Sequence, residues 1–230
     1  MSFFSLSTAR TATTAALTVS LAAAGAMTSS AATTASKTCG SGCSVVSRAD
    51  VDGDGRADTT TITQAKGGLA YTVRTKTAAG ASATARVKGL WHPETAPFVG
   101  APQMDGVKGA ELVVRVGSGA HTQYFNVFSW RRGALVAQKD PSGSTEWVTD
   151  GALSSSMGYT LRTVKGIKQL TQISLGRDSW DKNATFSGTR TVARWQNGRW
   201  TPITRRNVVV PATDAVWNGS GWNVAGLQRF

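Results

Sequence analysis

The residues whose spacing and side-chain types most clearly predict a binding site lie between positions 50 and 58, which read Asp50-Val51-Asp52-Gly53-Asp54-Gly55-Arg56-Ala57-Asp58. Carboxylates stand at loop positions 1, 3, 5 and 9, and a glycine stands at position 6. Ca2+ takes about six to eight oxygens at a flexible radius, and alternating acids on a curled loop can direct their oxygens at one ion. The alternative is a polar turn without metal, in which four carboxylates would repel one another. We therefore expect a Ca2+ site in this loop.

The loop departs from an EF-hand in the way it ends. Position 12 is Thr61 rather than a glutamate, and residues 59–63 alternate as a β-strand. A loop of this type followed by a strand resembles the FG-GAP/VCBS repeats of secreted bacterial proteins and integrin-like β-propellers. The resemblance covers about residues 46–76 and implies a Ca2+ loop between strands of a propeller-type blade. The ligands it implies are the side chains of Asp50, Asp52, Asp54 and Asp58 and the backbone carbonyl of Arg56.

A second, degenerate copy of the loop lies 53 residues further along the chain. Residues 105–111 align with residues 52–58, and a strand pattern follows at 112–116. Gln103 and Val107 replace two ligand positions and Lys108 adds a positive charge, so we expect this loop to keep the turn and lose the metal. A period near 50 residues is typical of repeat architectures. The two copies predict a repeat pair over residues 36–138.

Strand patterns must supply the framework that positions both loops. Alternating segments at 69–75, 124–130 and 159–164 precede a further candidate at 167–175. Asn197-Gly198 predicts a type I′ hairpin turn that places Trp195 opposite Trp200. We therefore predict an all-β fold, an antiparallel β-sheet repeat forming a partial or small β-propeller-like structure. Residues 139–230 are expected to form a basic β region of the same or a second small domain, after a boundary loop at 139–144.

The first 35 residues are expected to be a signal peptide and leader. Residues 1–26 contain one base, Arg10, and no acid, and they include a short run of small and apolar residues at 15–24. Ala24-Gly25-Ala26 and Ser30-Ala31-Ala32 are both candidate cleavage sites. A membrane anchor would need about 20 strongly apolar residues, whereas serine and threonine interrupt this run. We expect a secreted protein, extracellular or associated with the cell wall, without a transmembrane anchor.

Export would place the two cysteines, Cys39 and Cys43, in an oxidising compartment. Gly40-Ser41-Gly42 is flexible enough to close a small ring between them. A disulfide is therefore predicted in preference to two free thiols.

Charge and tryptophan content suggest possible ligands. The chain carries 25 Lys and Arg against 13 Asp and Glu, and residues 160–230 are strongly basic. This excess would suit an anionic cell-wall polymer, although a solvated basic surface is an equal interpretation. Trp217 and Trp222 could present two indoles to a glycan, whereas Trp91, Trp130, Trp147 and Trp180 are expected to pack between strands or sheets.

Several classes of function are disfavoured by what the sequence lacks. Two histidines and the absence of nucleophile-elbow, zinc-protease and P-loop motifs argue against an enzyme. No nucleic-acid-reading motif is present. A hydrolase with two carboxylates from Glu94, Glu111, Glu146 or an aspartate is the remaining catalytic alternative. The sequence therefore predicts a secreted, non-catalytic, calcium-binding all-β module, with glycan or cell-wall-polymer binding as the alternative and the oligomeric state open.

Overall fold

Strands separated by tight turns make up the fold, which confirms the all-β prediction. The computed structural model describes residues 39–89, 96–181, 183–213 and 219–228. Within these residues the strands are β1 Cys43–Ser47, β2 Thr59–Gln64, β3 Ala70–Lys76, β4 Ser82–Lys88, β5 Phe98–Gly100, β6 Leu112–Ser118, β7 Thr122–Arg131, β8 Ala134–Ala137, β9 Trp147–Gly151, β10 Ser155–Val164, β11 Ile167–Arg177, β12 Thr185–Gln196, β13 Arg199–Pro211 and β14 Gly221–Asn223.

The strands form two sheets. Strands β1 to β4 make a four-stranded antiparallel meander in chain order, which is the strand number of one propeller blade. A ten-stranded sheet follows, with the order β13-β12-β11-β10-β9-β7-β6-β5, β8 beside β7 and β14 parallel to β10. The predicted antiparallel pairing is therefore confirmed, with β14 as the exception. The described residues form these two sheets and show no ring of blades.

Two large apolar clusters hold the sheets, and a third, smaller one around Leu175 and Phe186 lies on strands β11 to β13. The larger one gathers residues from both ends of the ten-stranded sheet, among them Met104, Phe125, Trp147, Leu170 and Trp200, so the sheet curls around this core. The second cluster joins the four-stranded sheet to β6 and β7 through Tyr71, Val73, Leu112, Val114 and Phe128. Val51 belongs to this second cluster. The loop after β1 is thereby anchored at the junction of the two sheets.

The predicted hairpin is confirmed in detail. Asn197 and Gly198 both have positive φ, 52° and 74°, as a type I′ turn requires. Trp195 pairs with Trp200, and their ring centroids are 5.4 Å apart in an edge-on arrangement. The same turn geometry closes β7–β8 at Arg132-Gly133 and β10–β11 at Lys165-Gly166.

The sheets do not divide the chain at residue 139. Residues 139–146 do lie outside strands, but β7 pairs with β9 across this loop, so one sheet continues on both sides of it. The change from one sheet to the other falls between β4 and β5. The predicted leader, residues 1–35, lies outside the described residues. Among the described residues no helix is long and apolar enough to cross a membrane.

The disulfide is confirmed, whereas one of the tryptophans expected to pack between strands or sheets does not do so. Cys39 and Cys43 are bonded, with Cα atoms 5.2 Å apart. Trp147 is fully buried as expected, and Trp130 packs against the second apolar cluster, at the junction of the two sheets. Trp180 is instead 72 % exposed and lies 4.7 Å from the Arg177 guanidinium, because it sits in the loop after β11 rather than on a strand. Trp91 lies outside the described residues.

Candidate metal centre

Asp58 organises the loop of residues 50–58 from its buried end. Its carboxylate is 1 % exposed. Oδ2 accepts hydrogen bonds from the backbone amides of Val51 at 2.7 Å and Asp52 at 3.1 Å, and Oδ1 accepts one from Ala78 at 2.9 Å. Because Ala78 follows β3, this one side chain ties the start of the loop to the next turn of the sheet.

Asp50 curls the other end of the loop. Its Oδ1 accepts from the Gly53 amide at 2.7 Å and its Oδ2 from the Gly55 amide at 2.9 Å. Both glycines have φ near +84°, at 83° and 84°, a region that other residues rarely adopt. The Asp-x-Asp-Gly-x-Gly spacing therefore sets the turn before any ion is considered.

Three of the four predicted carboxylates converge. Asp50, Asp52 and Asp58 each offer one oxygen, and these oxygens all lie within 4.8 Å of one another. Two oxygens bound to one Ca2+ at about 2.3–2.6 Å can be at most about 5 Å apart, so the spacing fits a single ion. The pKa of Asp52 is raised, first by partial burial and then by the neighbouring carboxylates, Asp58 foremost.

Asp54, the fourth predicted carboxylate, lies outside this group. Its Oδ2 pairs with the Arg56 guanidinium, which donates from Nη2 at 2.6 Å and from Nε at 2.9 Å. The pKa of Asp54 is lowered by this side-chain hydrogen bond from Arg56. For Asp54 to join the other three, Arg56 would have to release it, and both side chains are exposed enough to move. The Arg56 side chain therefore binds Asp54, a role separate from the ion ligation predicted for the Arg56 backbone carbonyl.

The second loop repeats the backbone scaffold of the first. Three pairs of hydrogen bonds correspond at an offset of 53 residues. In the first loop, Val51 N donates to Asp58 Oδ2, Asp58 N to Ala49 O, and Asp54 N to Asp52 Oδ1. In the second loop, the corresponding bonds run from Met104 N to Glu111 Oε2, from Glu111 N to Pro102 O, and from Val107 N to Asp105 Oδ1. Gly53 and Gly106 share φ values of 83° and 81°. Strands β2 and β6 begin directly after their loops, at Thr59 and Leu112.

The two loops differ in how their charge is balanced. In the second loop, Asp105 and Glu111 are 4 % and 1 % exposed. Arg131 on β7 pairs with Asp105 and lies 3.7 Å from Glu111 Oε1. Burial, and then the charge of Asp105, raises the pKa of Glu111 to about 8. Burial likewise raises the pKa of Asp105. The Arg131 guanidinium thus balances the charge of this loop from β7.

The first loop carries no such cation in the described part of the chain. No lysine or arginine nitrogen there lies within 4.0 Å of the carboxylate oxygens of Asp50, Asp52 or Asp58. Their hydrogen bonds all come from backbone amides. Among the described residues, therefore, Asp54 alone of the four aspartates in the first loop has an ion-pair partner, whereas in the second loop Arg131 pairs with Asp105 and lies beside Glu111.

The loops also contact each other through backbone. The Ala110 amide donates to the Asp50 carbonyl at 2.8 Å. Gly109 has φ +105°, and a Cβ there would lie 2.4 Å from the Val51 carbonyl oxygen. A Cβ on Gly53 would lie 2.7 Å from Lys108. These glycines are required by the close approach of the two loops, a reason that spacing within either loop does not reveal.

The predicted aromatic platform is not formed by Trp222. This indole is 2 % exposed and stacks on Tyr159 and Trp147, with centroids 4.9 Å and 5.8 Å away. It is buried because β14 pairs alongside β10, which turns the side chain into the larger core. Trp222 is thus a core residue and cannot stack on a sugar. Trp217 lies outside the described residues.

Asp140 is a buried polar residue that sequence patterns did not single out. Its Oδ1 accepts from the Ser142 amide, the Ser142 hydroxyl and the Ser144 amide. Its Oδ2 accepts from the Tyr159 hydroxyl at 3.0 Å and Gln172 Nε2 at 2.6 Å. Asp140 therefore fastens the 139–146 loop to β10 and β11. The Asp-Pro-Ser-Gly-Ser pattern would have indicated the turn but not its partners across the sheet.

Comparisons of the chain with protein-family models, curated proteins and solved structures find no match. The function is therefore inferred from the geometry of the two loops and of the sheets.

Proposed function

We propose that this chain is a non-catalytic, calcium-binding all-β module that works outside the cell, with its ion held in the loop of residues 50–58. One observation carries the proposal. Two loops with corresponding hydrogen bonds lie side by side, and in the second loop the two buried carboxylates have the Arg131 guanidinium beside them. In the first loop, Asp50, Asp52 and Asp58 gather without one. A bound cation would supply the missing charge.

The residues fit Ca2+ in donor type and spacing. Three carboxylates on a flexible, glycine-containing loop provide hard oxygens without imposing octahedral geometry, which suits Ca2+ better than Mg2+. Asp54 would add a fourth carboxylate after release from Arg56, and the Arg56 carbonyl a further oxygen, in the pattern of an FG-GAP/VCBS loop. The proposed membership in that repeat class rests on this loop and on its counterpart at residues 103–111.

The proposed ion would be a structural clamp. Asp58 connects the loop to the turn after β3, and Ala110 connects it to the second loop. Val51 lies in the core between the sheets. An ion on Asp50, Asp52 and Asp58 would therefore stabilise the junction of the two sheets. The disulfide and the predicted leader support an extracellular location, where Ca2+ modules bind at about 10⁻⁴ to 10⁻³ M.

Thermal unfolding with and without Ca2+ tests this function. At about 10 mM Ca2+, that affinity range stabilises the folded state by about 1.4–2.7 kcal/mol, or about 3–10 °C in Tm. The Asp52→Asn variant should lose this increase, because it removes one ligand charge while an amide oxygen can still accept from Asp54 N. Asp181→Asn, in a loop after β11, is the matched control and should keep it.

Two results would contradict the proposal. One is an unchanged Tm for the wild-type protein on addition of Ca2+. The other is an increase that Asp52→Asn retains in full. Mg2+ at the same concentration should give a clearly smaller increase.

A further inference from the structure

The outer face of strands β10 to β13 carries a set of arginines that the calcium proposal does not use. Side chains alternate across a strand, so residues paired in register share a face. The registers place Arg190 opposite Arg206, Arg194 opposite Thr201 and Gln169, and Gln169 opposite Arg162. Gln196, on the same side of β12, pairs with Arg199. We call these five residues the arginine face: Arg162, Arg190, Arg194, Arg199 and Arg206.

This face points away from the larger core. The alternate residues on the same strands, including Leu170, Ala193 and Trp200, are the ones that enter the core. None of the five arginines is buried. Threonines at positions 160, 171, 201 and 204 lie between them, together with Val192 and Ile173, and no exposed aromatic side chain of these strands interrupts the set. The result is a positively charged sheet surface, which borders the small apolar cluster of Leu175 and Phe186 on the same side of the sheet.

Nothing in these four strands neutralises the charge. Strands β10 to β13 and the two turns that link them as hairpins contain nine Lys and Arg and no Asp or Glu. Within the described residues, no arginine of this face lies within ion-pair distance of a carboxylate. A surface that served solubility alone would intersperse both signs of charge. The composition instead indicates an anionic partner from outside the chain.

The pairing of Arg190 with Arg206 is expected to destabilise the folded state. They are directly opposite on neighbouring strands, and like charges so placed destabilise a sheet. The pair also faces Ile173 on β11 rather than an acid. An anion bound between the two guanidinium groups would replace this repulsion with attraction.

The side-chain type points to the chemistry of the partner. All five residues are arginine, and the planar guanidinium binds phosphate in a bidentate manner, which a lysine ammonium cannot do. Four of the five lie on the β12–β13 hairpin. The distance along β12 from Arg190 to Gln196, which pairs with Arg199, is about 20 Å at about 3.4 Å per residue. A stripe of this length suits a linear chain rather than a single small anion.

We propose that the arginine face binds an extended polymer that carries phosphate groups along its backbone. Strands β10 to β13 present no exposed aromatic side chain on this face for stacking on bases, so we propose that the polymer is recognised through its phosphates and not as a nucleic acid. The proposal does not depend on the calcium site, which lies in the loop between β1 and β2.

Binding of inorganic polyphosphate to the full chain, in buffer containing EDTA, tests the proposal without involving the calcium loop. With about four phosphates neutralised, log Kd should rise with log salt with a slope of about 3, or about 50-fold between about 50 and 200 mM. Arg190→Gln/Arg206→Gln should weaken binding by about tenfold or more and lower the slope by about 1.4. Arg74→Gln/Arg86→Gln, which removes equal charge from the four-stranded sheet, should leave binding unchanged within about twofold.

Thermal unfolding of the Arg190→Gln/Arg206→Gln variant shows that it folds, and its Tm should equal or exceed that of the wild type because the opposed charges are gone. Four results would overturn the proposal. These are no binding of polyphosphate, equal losses in both double variants, tighter binding of polygalacturonate or single-stranded DNA at equal charge, or binding only to phosphatidylglycerol vesicles. The last would assign the face to a membrane surface.

Discussion

The protonation of Glu111 makes the stability of this protein depend on pH in an unusual direction. Glu111 has a pKa of about 8 in the folded chain, against 4.5 for an unperturbed glutamate. The folded state therefore holds a proton that the unfolded state has lost across this range. The resulting stability is fully present below about pH 4.5 and is lost as pH rises through about 8.

The size of the effect follows from proton linkage. A difference of one bound proton changes the free energy of unfolding by about 1.4 kcal/mol per pH unit. Between about pH 5.5 and 7.5 the wild-type protein should lose about 2.5 kcal/mol, a large share of the stability of a typical domain. Asp105, whose pKa is also raised by burial, shares the network and acts in the same direction.

Glu111→Gln isolates this contribution. The amide cannot ionise, but its oxygen can still accept from Met104 N, as Glu111 Oε2 does at 2.6 Å. Urea unfolding followed by circular dichroism, in EDTA at several values between about pH 5.5 and 8, should give a much flatter profile for the variant. Glu146→Gln, just before β9 and without an ion pair among the described residues, is the control and should keep the wild-type slope. A wild-type stability that is constant or rises over this range, or an equal slope in Glu111→Gln, would refute the reasoning.

Two further predictions compare matched substitutions by urea unfolding. Gly109→Ala should cost about 1–3 kcal/mol more than Gly143→Ala, because both sites have positive φ but only Gly109 meets a backbone atom, 2.4 Å away. Equal losses would contradict the close contact of the two loops. Trp147→Phe should cost about 1–3 kcal/mol more than Trp222→Phe, since Trp147 Nε1 donates to the Gln138 carbonyl at 3.0 Å, whereas Trp222 Nε1 has no hydrogen-bond partner in the described structure. The opposite order would show that the Gln138 hydrogen bond does not matter.

Features set by neighbouring residues were predictable from the sequence. The Asn197-Gly198 turn and the Trp195–Trp200 pairing follow from local turn chemistry, and both are observed. The curled loop at residues 50–58 likewise follows from its aspartates and glycines. Strand existence was predictable over 59–63 and 112–116, because alternation and β-branched residues extend over each segment.

Features set by distant contacts were not predictable. Arg131 reaches Asp105 from 26 residues away, and nothing in the spacing connects them. The burial of Trp222 depends on β14 joining β10 in parallel, a pairing that only the curled sheet creates. Asp54 pairs with Arg56 rather than joining the other three aspartates. The residue pattern allows either arrangement on this exposed loop. The arginine face could not be predicted either, because composition indicates only a basic region and the strand registers are needed to show which arginines share a face.

The central claim is that one Ca2+ binds to Asp50, Asp52 and Asp58 and that the second loop binds none. Isothermal titration calorimetry of the metal-free chain tests it most directly. We predict one site per chain for the wild type, no binding by Asp50→Asn/Asp52→Asn, and an unchanged single site in Glu111→Gln. A stoichiometry of zero, or a site that survives Asp50→Asn/Asp52→Asn, would contradict the account.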